Sequence, residues 1–259
     1  MAGEKKVPPG KKEKEGMMSN IAKIILTYLT KEIIEKVAEK APEYFVLMKL
    51  WWSGRTIAVI GPTASGKNSL FDRIKDLPPP SQHVQTRGAE GVGNFDVSWG
   101  VGGRDKIEFK CKRSINVGGE IDERERFWAQ ACAGADVVFY LVDFQKLIED
   151  RESSIDRVRG DFKWLASYLK GFKQGVKIHI LLNKVDTIKF SGDPEDHRDH
   201  IVNLVRDESI KIQDIAHKFL GEQRTAIVGV SPISMIDDYL FRTFFTSVLS
   251  EVFAEGTKG

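Results

Sequence analysis

Short apolar runs alternate with longer amphipathic stretches from about residue 55 onward. Uninterrupted apolar runs are typical of strands buried on both faces of a sheet, whereas apolar residues at three- and four-residue steps indicate helices. Strands are predicted at 56–60, 94–100, 105–115, 137–142, 176–182 and 225–230. Helices are predicted at 69–76, 122–134, 155–172, 194–220 and 233–254. The pattern therefore predicts a Rossmann-like α/β fold, whose mostly parallel sheet has one antiparallel edge strand from the 94–115 hairpin.

The N-terminal part of the chain has a different pattern. Residues 1–18 are mainly polar and basic, and they are predicted to form a disordered tail because they have too few apolar groups to bury. Residues 19–40 have the period of an amphipathic helix, and residues 44–52 are dense in large apolar groups. We expect 19–54 to be a helical extension of a domain at 55–255. Mixed charges favour its docking on that domain, with a membrane surface or partner contact through 19–52 as the alternative.

Composition narrows the possibilities only slightly. The 259 residues are 41% hydrophobic and 29% charged, as in an ordinary globular protein, and the net charge of +2 gives no support for nucleic acid as the main partner. Cys111 and Cys132 are predicted to be buried thiols in a reducing compartment. The expected location is cytoplasmic, with peripheral membrane attachment as a variant.

The strongest chemical signal follows the first predicted strand. Residues 61–67 have the spacing G-x-x-x-x-G-K and join a buried strand to a helix, which is the setting of a P-loop. Its backbone N–H groups, helix dipole and lysine bind phosphate, so a polyphosphate ligand is predicted. The residue after the lysine is usually Ser or Thr and holds Mg²⁺, but here it is Asn68. The predicted ligand-binding residues are Gly61, Thr63, Ala64, Ser65, Gly66, Lys67, Asn68 and Ser69.

Two further motifs follow strand ends. Residues 116–120 read Asn-Val-Gly-Gly-Glu, and residues 183–186 read Asn-Lys-Val-Asp. In order and spacing, these motifs and the P-loop resemble the small Ras-like and Arf-like P-loop GTPases, including the beta subunit of the signal-recognition-particle receptor. The resemblance spans roughly residues 55–255 and rests on motif order, without close identity. It implies a P-loop G domain that binds GTP or GDP.

The Asn183 motif resembles the N-K-x-D sequence that selects guanine in this family. A carboxylate at Asp186 can accept two N–H bonds from guanine, which adenine cannot supply. The resemblance further implies that Lys184 lies along the base and that Asn183 ties this loop to the P-loop. Residues 231–233 occupy the place of the family's S-A-K loop. Since Pro232 has no N–H, Ser231 or Ile233 is expected to support the base.

The Asn116 motif resembles the Arf-type D-V-G-G-Q sequence but departs from it twice. The resemblance implies that the Gly119 N–H contacts the γ-phosphate. The Asp that holds Mg²⁺ through water is Asn116 here, and the Gln that orients the attacking water is Glu120. Thr86 lies at the distance from Lys67 expected of a switch I threonine, which would meet Mg²⁺ and the γ-phosphate. The candidate catalytic residues are thus Lys67, Thr86 and Glu120, and the candidate metal ligands are Asn68 and Thr86.

These departures predict weakened Mg²⁺ binding, a preference for GDP over GTP and slow hydrolysis. Asn68 fits either a natural departure or an engineered replacement of Ser or Thr. One functional hypothesis is a switch that contacts a protein effector or regulator through 81–93 and 119–130. The other is a nucleotide-binding module with little or no hydrolysis. An ATP-using P-loop kinase is disfavoured by Asp186.

Overall fold

The computed structural model describes residues 42–75, 77, 89–93, 95–101, 105–111, 114–221 and 226–257. Its strands are β1 (Ile57–Ile60), β2 (Ala89–Val92), β3 (Phe95–Val101), β4 (Asp105–Cys111), β5 (Ser114–Val117), β6 (Val137–Asp143), β7 (Lys177–Asn183) and β8 (Ala226–Ile233). Its helices are α1 (Pro42–Trp52), α2 (Lys67–Ile74), α3 (Ile121–Glu123), α4 (Ala129–Ala133), α5 (Phe144–Glu149), α6 (Arg151–Tyr168), α7 (Pro194–Leu220) and α8 (Asp238–Gly256). A π-helical turn, Arg124–Trp128, joins α3 to α4, and short 3₁₀ turns lie at Leu169–Gly171 and Val185–Thr187.

Within the described residues, the main sheet has six strands in the order β2-β5-β1-β6-β7-β8. Strands β5, β1, β6, β7 and β8 run parallel to one another, and β2 pairs antiparallel with β5 at one edge. The prediction of a Rossmann-like, mostly parallel sheet with one antiparallel edge strand is therefore confirmed.

The source of that edge strand was predicted wrongly. It is β2, Ala89–Val92, which lies in a stretch with no strand period in the sequence. The predicted hairpin exists as β3 paired antiparallel with β4, but these two strands form a separate sheet. The predicted strand 105–115 is in fact two elements, because β4 ends at Cys111 and β5 begins at Ser114 inside the main sheet.

Helices cover both faces of the main sheet, so β1 and β6 are buried along their whole length. On one face, apolar side chains of α1, α2 and α8 pack against alternate residues of the strands. On the other face, α4, α5, α6 and α7 supply the core, together with Trp128 of the π-helical turn. Cys111 and Cys132 are buried free thiols, and burial raises the pKa of each to about 12.

Helix α1 packs on its own domain. Trp52 is fully buried, stacks on Phe109 at a centroid distance of 5.8 Å, and donates its indole N–H to the Leu249 carbonyl at 3.2 Å. Tyr44 Oη lies 3.0 Å from Ser250 Oγ. The opposite side of α1 exposes Val46, Leu47 and Leu50. The predicted tail at 1–18 and amphipathic helix at 19–40 lie outside the described residues. Among the helices that are described, none is long and apolar enough to cross a membrane.

Candidate functional site

The parallel strands bring five loops to one edge of the sheet. Because β1, β5, β6, β7 and β8 point the same way, the segments after their carboxyl ends lie side by side. In open α/β sheets this edge is where ligands bind. It carries the predicted P-loop, the Asn116 motif and the Asn183 motif, as well as Asp143 at the end of β6 and Ser234 after β8.

The P-loop leaves β1 through a backbone conformation that requires glycine. Gly61 has a φ of +142°, and a Cβ placed there would lie 2.4 Å from the Leu141 carbonyl oxygen of β6. Ala64 also has a positive φ, of +63°, and Gly66 precedes α2 at a φ of +98°. Residues 61–66 thus curl back against the sheet before α2 begins at Lys67, so Thr63, Ala64, Ser65 and Ser69 all belong to the loop or the first turn of α2.

Lys67 places a cation inside this loop. Its side chain is buried, and Nζ donates to the carbonyl oxygens of Gly61 at 3.0 Å and Pro62 at 2.8 Å. Burial, followed by the positive charge of Arg157, lowers the pKa of Lys67 to about 8. The positive charge of this lysine is therefore held in a desolvated position, where an anion would stabilise it strongly.

The Asn183 motif is tied directly to the P-loop. The Asn183 side chain is buried and donates from Nδ2 to the Ser65 carbonyl at 2.8 Å. Lys184 has a left-handed φ of +72°, and its ammonium is 2.5 Å from Asp143 Oδ2. Asp186 follows in the 3₁₀ turn and is half-buried. The hydrogen bond from Asn183 to Ser65 thus links the P-loop to the segment that carries Asp186, the carboxylate predicted to bind the base.

Ser234 orients Asp186 and was not predicted to be a site residue. Ser234 is fully buried and donates from Oγ to Asp186 Oδ1 at 2.6 Å. Its Oγ also accepts the N–H groups of Ile236 at 3.2 Å and Asp237 at 3.0 Å, which closes the turn after β8. The signal in the sequence is that Ser234 is the first polar residue after the apolar strand ends.

The predicted base-supporting residues Ser231 and Ile233 are not in that loop. Both lie within β8, which continues to Ile233. Ser231 Oγ is hydrogen-bonded to His179 Nε2 of β7 at 2.9 Å, and Ile233 is fully buried in the core. The strand thus runs three residues beyond its predicted end, and a contact of either residue with a base stays a prediction.

The loop after β5 rests on the P-loop. A Cβ placed at Gly119 would lie 2.3 Å from the Thr63 backbone nitrogen, so only glycine permits this approach. Glu120 is exposed and accepts a hydrogen bond from Thr63 Oγ1 at 2.9 Å. Behind Gly119, its carbonyl accepts from Arg157 Nη2 at 2.8 Å. Arg157 comes from α6 and was not among the predicted site residues.

The residues present do not fit the magnesium site that the resemblance implies. Asn116 Nδ2 donates to Asn68 Oδ1 at 2.7 Å, so the one side-chain oxygen that Asn68 has for a cation is engaged by a neutral amide. Mg²⁺ is usually held by carboxylates, hydroxyls and phosphate oxygens. Across the described parts of the chain, no group of three or more His, Cys, Asp or Glu side chains is placed to hold a metal ion. Thr86, the other predicted ligand, lies outside the described residues.

Comparison with known proteins shows a likeness to solved structures but none to a protein-family model or curated sequence. No protein-family model matches the chain, and no curated protein sequence matches it. A similar solved structure is that of the Arl6 BBS3 small GTPase from Trypanosoma brucei with bound nucleotide analogue GppNp. The two chains are 14% identical with a TM-score of 0.40, and the match covers 71% of this chain and 88% of the other. A likeness at this level assigns neither a family nor an activity.

Proposed function

We propose that this chain binds guanine nucleotides, prefers GDP to GTP and turns GTP over slowly. The observation that carries the proposal is the hydrogen bond from Asn183 to the Ser65 carbonyl. It joins a phosphate-binding loop to a base-reading loop, so that a single nucleotide can contact both.

The phosphate end of this site consists of the P-loop and Lys67. Backbone N–H groups of residues 63–69 surround a phosphate at the start of α2, where the helix dipole adds to the attraction. Lys67 now donates to two carbonyl groups of its own loop and would turn to a phosphate oxygen. This end recognises any nucleotide, so it does not select the base.

The base end selects guanine. Ser234 donates to Asp186 Oδ1, which fixes the carboxylate and leaves Oδ2 and the second lone pair of Oδ1 for two N–H groups of the ligand. Guanine presents two adjacent N–H donors to such a carboxylate, whereas adenine does not. A buried polar group that matches one ligand discriminates strongly against another that leaves it unpaired. An ATP-using kinase is therefore the less favoured function.

Two contacts support the preference for the diphosphate. The Asn68–Asn116 hydrogen bond occupies the position where the family places hydroxyl and carboxylate ligands of Mg²⁺. The Glu120 carboxylate is held over the P-loop by Thr63, where its negative charge opposes a terminal phosphate. A nucleotide-binding module without hydrolysis is the second candidate, and the Thr63–Glu120 bond favours it because it engages the group that would orient the attacking water.

Calorimetry with GDP and a non-hydrolysable GTP analogue tests this proposal. We expect GDP to bind about 10-fold more tightly than the analogue, equal to about 1.4 kcal/mol. We also expect EDTA in place of Mg²⁺ to change the GDP affinity less than about threefold, because the site has few ligands for the cation. Equal or tighter binding of the analogue would contradict the preference, and binding of neither nucleotide would contradict the function itself.

A double variant provides the matched control. Asn68→Thr with Asn116→Asp restores a hydroxyl and a carboxylate, so its GTP affinity should rise and become dependent on Mg²⁺. If this variant also gains GTP hydrolysis, the chain is a slowed switch. If it gains affinity without turnover, the nucleotide-binding module is favoured. A competition assay with adenine nucleotides checks the base selectivity.

The low pKa of Lys67 predicts that GDP binding weakens at alkaline pH. The ammonium loses its proton around pH 8 in the free protein, whereas a bound phosphate would hold the proton on. We expect GDP affinity at pH 9 to be about 10-fold weaker than at pH 7. The measurement is titration of a fluorescent GDP derivative across this range.

Thermal unfolding over the same pH range separates this effect from loss of structure. Above pH 8 the unfolded chain, with its ordinary lysine pKa, binds more protons than the folded chain does. Lys67 therefore makes the free energy of unfolding increase with pH between about 8 and 10.5, so its deprotonation does not unfold the protein. A pH-independent GDP affinity between pH 7 and 9 would show that Lys67 does not contact the phosphates.

Two surfaces are proposed for partners. The segment 119–130 starts at Gly119, which lies against the P-loop backbone, and its Ile121 side chain is exposed. A protein effector or regulator bound to this segment would therefore respond to the nucleotide held by the P-loop. Of the residues 81–93 that complete this surface in the sequence analysis, those from 81 to 88 lie outside the described residues. The exposed side of α1, with Val46, Leu47 and Leu50, is the described part of the 19–52 segment available to a membrane surface or a protein.

A further inference from the structure

A buried carboxylate on α6, that of Asp161, binds the side chains that lie behind the loop after β5. Asp161 is fully buried and accepts a hydrogen bond from Tyr140 Oη at 2.8 Å. Two arginines complete its shell: Arg124 Nη1 donates at 2.9 Å, and Arg157 Nε donates to Oδ2 at 2.9 Å. A buried charge that is paired and hydrogen-bonded in this way holds its partners in fixed geometry.

Arg157 uses the other side of its guanidinium for Gly119. Its Nη2 donates to the Gly119 carbonyl at 2.8 Å while Nε stays on Asp161. The planar guanidinium can make both contacts at once because its donors point in fixed, divergent directions. Arg124 has no such contact with Gly119 among its described hydrogen bonds, and its guanidinium lies over the Trp164 ring at 5.6 Å.

The peptide before it, between Gly118 and Gly119, is held by another buried side chain of the same core. Trp128 is fully buried and donates its indole N–H to the Gly118 carbonyl at 2.9 Å. In a trans peptide the N–H points opposite to the carbonyl. With the Gly118 and Gly119 carbonyls held by Trp128 and Arg157, the N–H groups of Gly119 and Glu120 point away from those two donors. Successive N–H groups presented together form an anion-binding concavity.

We propose that Arg157, fixed by Asp161, is a positioning residue that sets the Gly119–Glu120 peptides for the terminal phosphate of a guanosine triphosphate. This inference rests on the proposed function and assigns to Arg157 an effect on the ratio of the affinities for guanosine triphosphate and diphosphate. Gly119 lies against the P-loop backbone, so a small rotation of its peptides would move their N–H groups relative to any phosphate bound there. The charge of Arg157 also acts at Lys67, where it is the second cause, after burial, of the lowered pKa.

Two matched arginine variants test the proposal. Arg157→Lys keeps the positive charge but lacks the planar guanidinium that donates to both Asp161 and Gly119. Arg124→Lys removes a guanidinium from the same Asp161 carboxylate and leaves the contact with Gly119 intact. By calorimetry we expect Arg157→Lys to weaken binding of the non-hydrolysable GTP analogue about 10-fold and GDP binding less than about twofold. Arg124→Lys should leave the ratio of the two affinities unchanged.

A second variant keeps the test decisive if Arg157→Lys does not fold. Trp128→Phe removes the indole donor to Gly118 but keeps a ring in the core, and it should also weaken the analogue more than GDP. Equal effects of the two arginine variants, equal losses for both nucleotides, or a wild-type protein that binds GDP but not the analogue would each overturn the inference. A wild-type protein that binds no guanine nucleotide would instead overturn the proposed function.

Discussion

Replacing Asp186 by Asn is expected to weaken GDP binding about 100-fold, equal to roughly 3 kcal/mol. The Asp186 carboxylate is half-buried and oriented by Ser234 Oγ at 2.6 Å. An Asn side chain would place an N–H₂ donor or a single weaker acceptor against the two N–H donors of guanine. A mismatched buried donor costs its full desolvation, which is why the loss exceeds that of one ordinary hydrogen bond.

Isothermal titration with GDP and ADP measures this effect. The GDP affinity should fall while the weak ADP affinity changes little, because the phosphate-binding loop is untouched. Asp193→Asn is a suitable control, since Asp193 is exposed and its side chain makes no capping hydrogen bond at the start of α7. An Asp186→Asn protein that binds GDP within about threefold of wild type would show that this carboxylate does not read the base.

Replacing Gly61 by Ala is expected to lower the free energy of unfolding by about 3 kcal/mol or more. Gly61 has a φ of +142°, which L side chains rarely adopt. The added Cβ would lie 2.4 Å from the Leu141 carbonyl oxygen and 3.0 Å from the Leu141 nitrogen, both in the backbone of β6. Since β6 is a buried central strand, it cannot move aside without disturbing its pairing with β1 and β7.

Unfolding in denaturant, monitored by circular dichroism, would measure the decrease in the free energy of unfolding. Gly160→Ala is the matched control, because Gly160 lies within α6 and a Cβ there meets no atom within 4 Å. That substitution should be neutral or stabilise the protein by up to about 1 kcal/mol through helix propensity. If Gly61→Ala and Gly160→Ala proteins unfold at the same denaturant concentration, the proposed clash at the start of the P-loop is wrong.

The central strands were predictable because burial on both faces leaves a continuous apolar run. β1, β6 and β7 are such strands, and each appears in the sequence close to its true position. β2 was not predictable in this way. Its residues Ala89–Val92 carry little apolar signal, and an edge strand needs only backbone pairing with one neighbour. The division between β4 and β5 was missed because apolar residues recur at every second position from 107 to 117, and only Arg113 breaks the alternation.

The candidate site was predictable where a local motif forms it. Glycine spacing places the P-loop, and the Asn183 motif places Asp186 near it. Ser234, Arg157 and Asp143 were missed because each comes from a separate element that only the folded sheet brings close. The end of β8 was predicted three residues too early for a specific reason. β8 is an edge strand that pairs with β7, so Pro232 is accommodated inside it without a backbone N–H.

The docking of α1 changes where the folding unit begins. Trp52 lies against Phe109 and Phe139, and Tyr44 and Met48 are buried on the same face of the sheet. A chain started at residue 55, where the strand–helix alternation starts, would leave this aromatic surface open to water. Exposed apolar surface of this kind promotes self-association. The smallest autonomous unit therefore includes the helix that precedes the P-loop strand. Part of the stability of the sheet that carries the P-loop comes from this helix, which lies outside the sequence motifs.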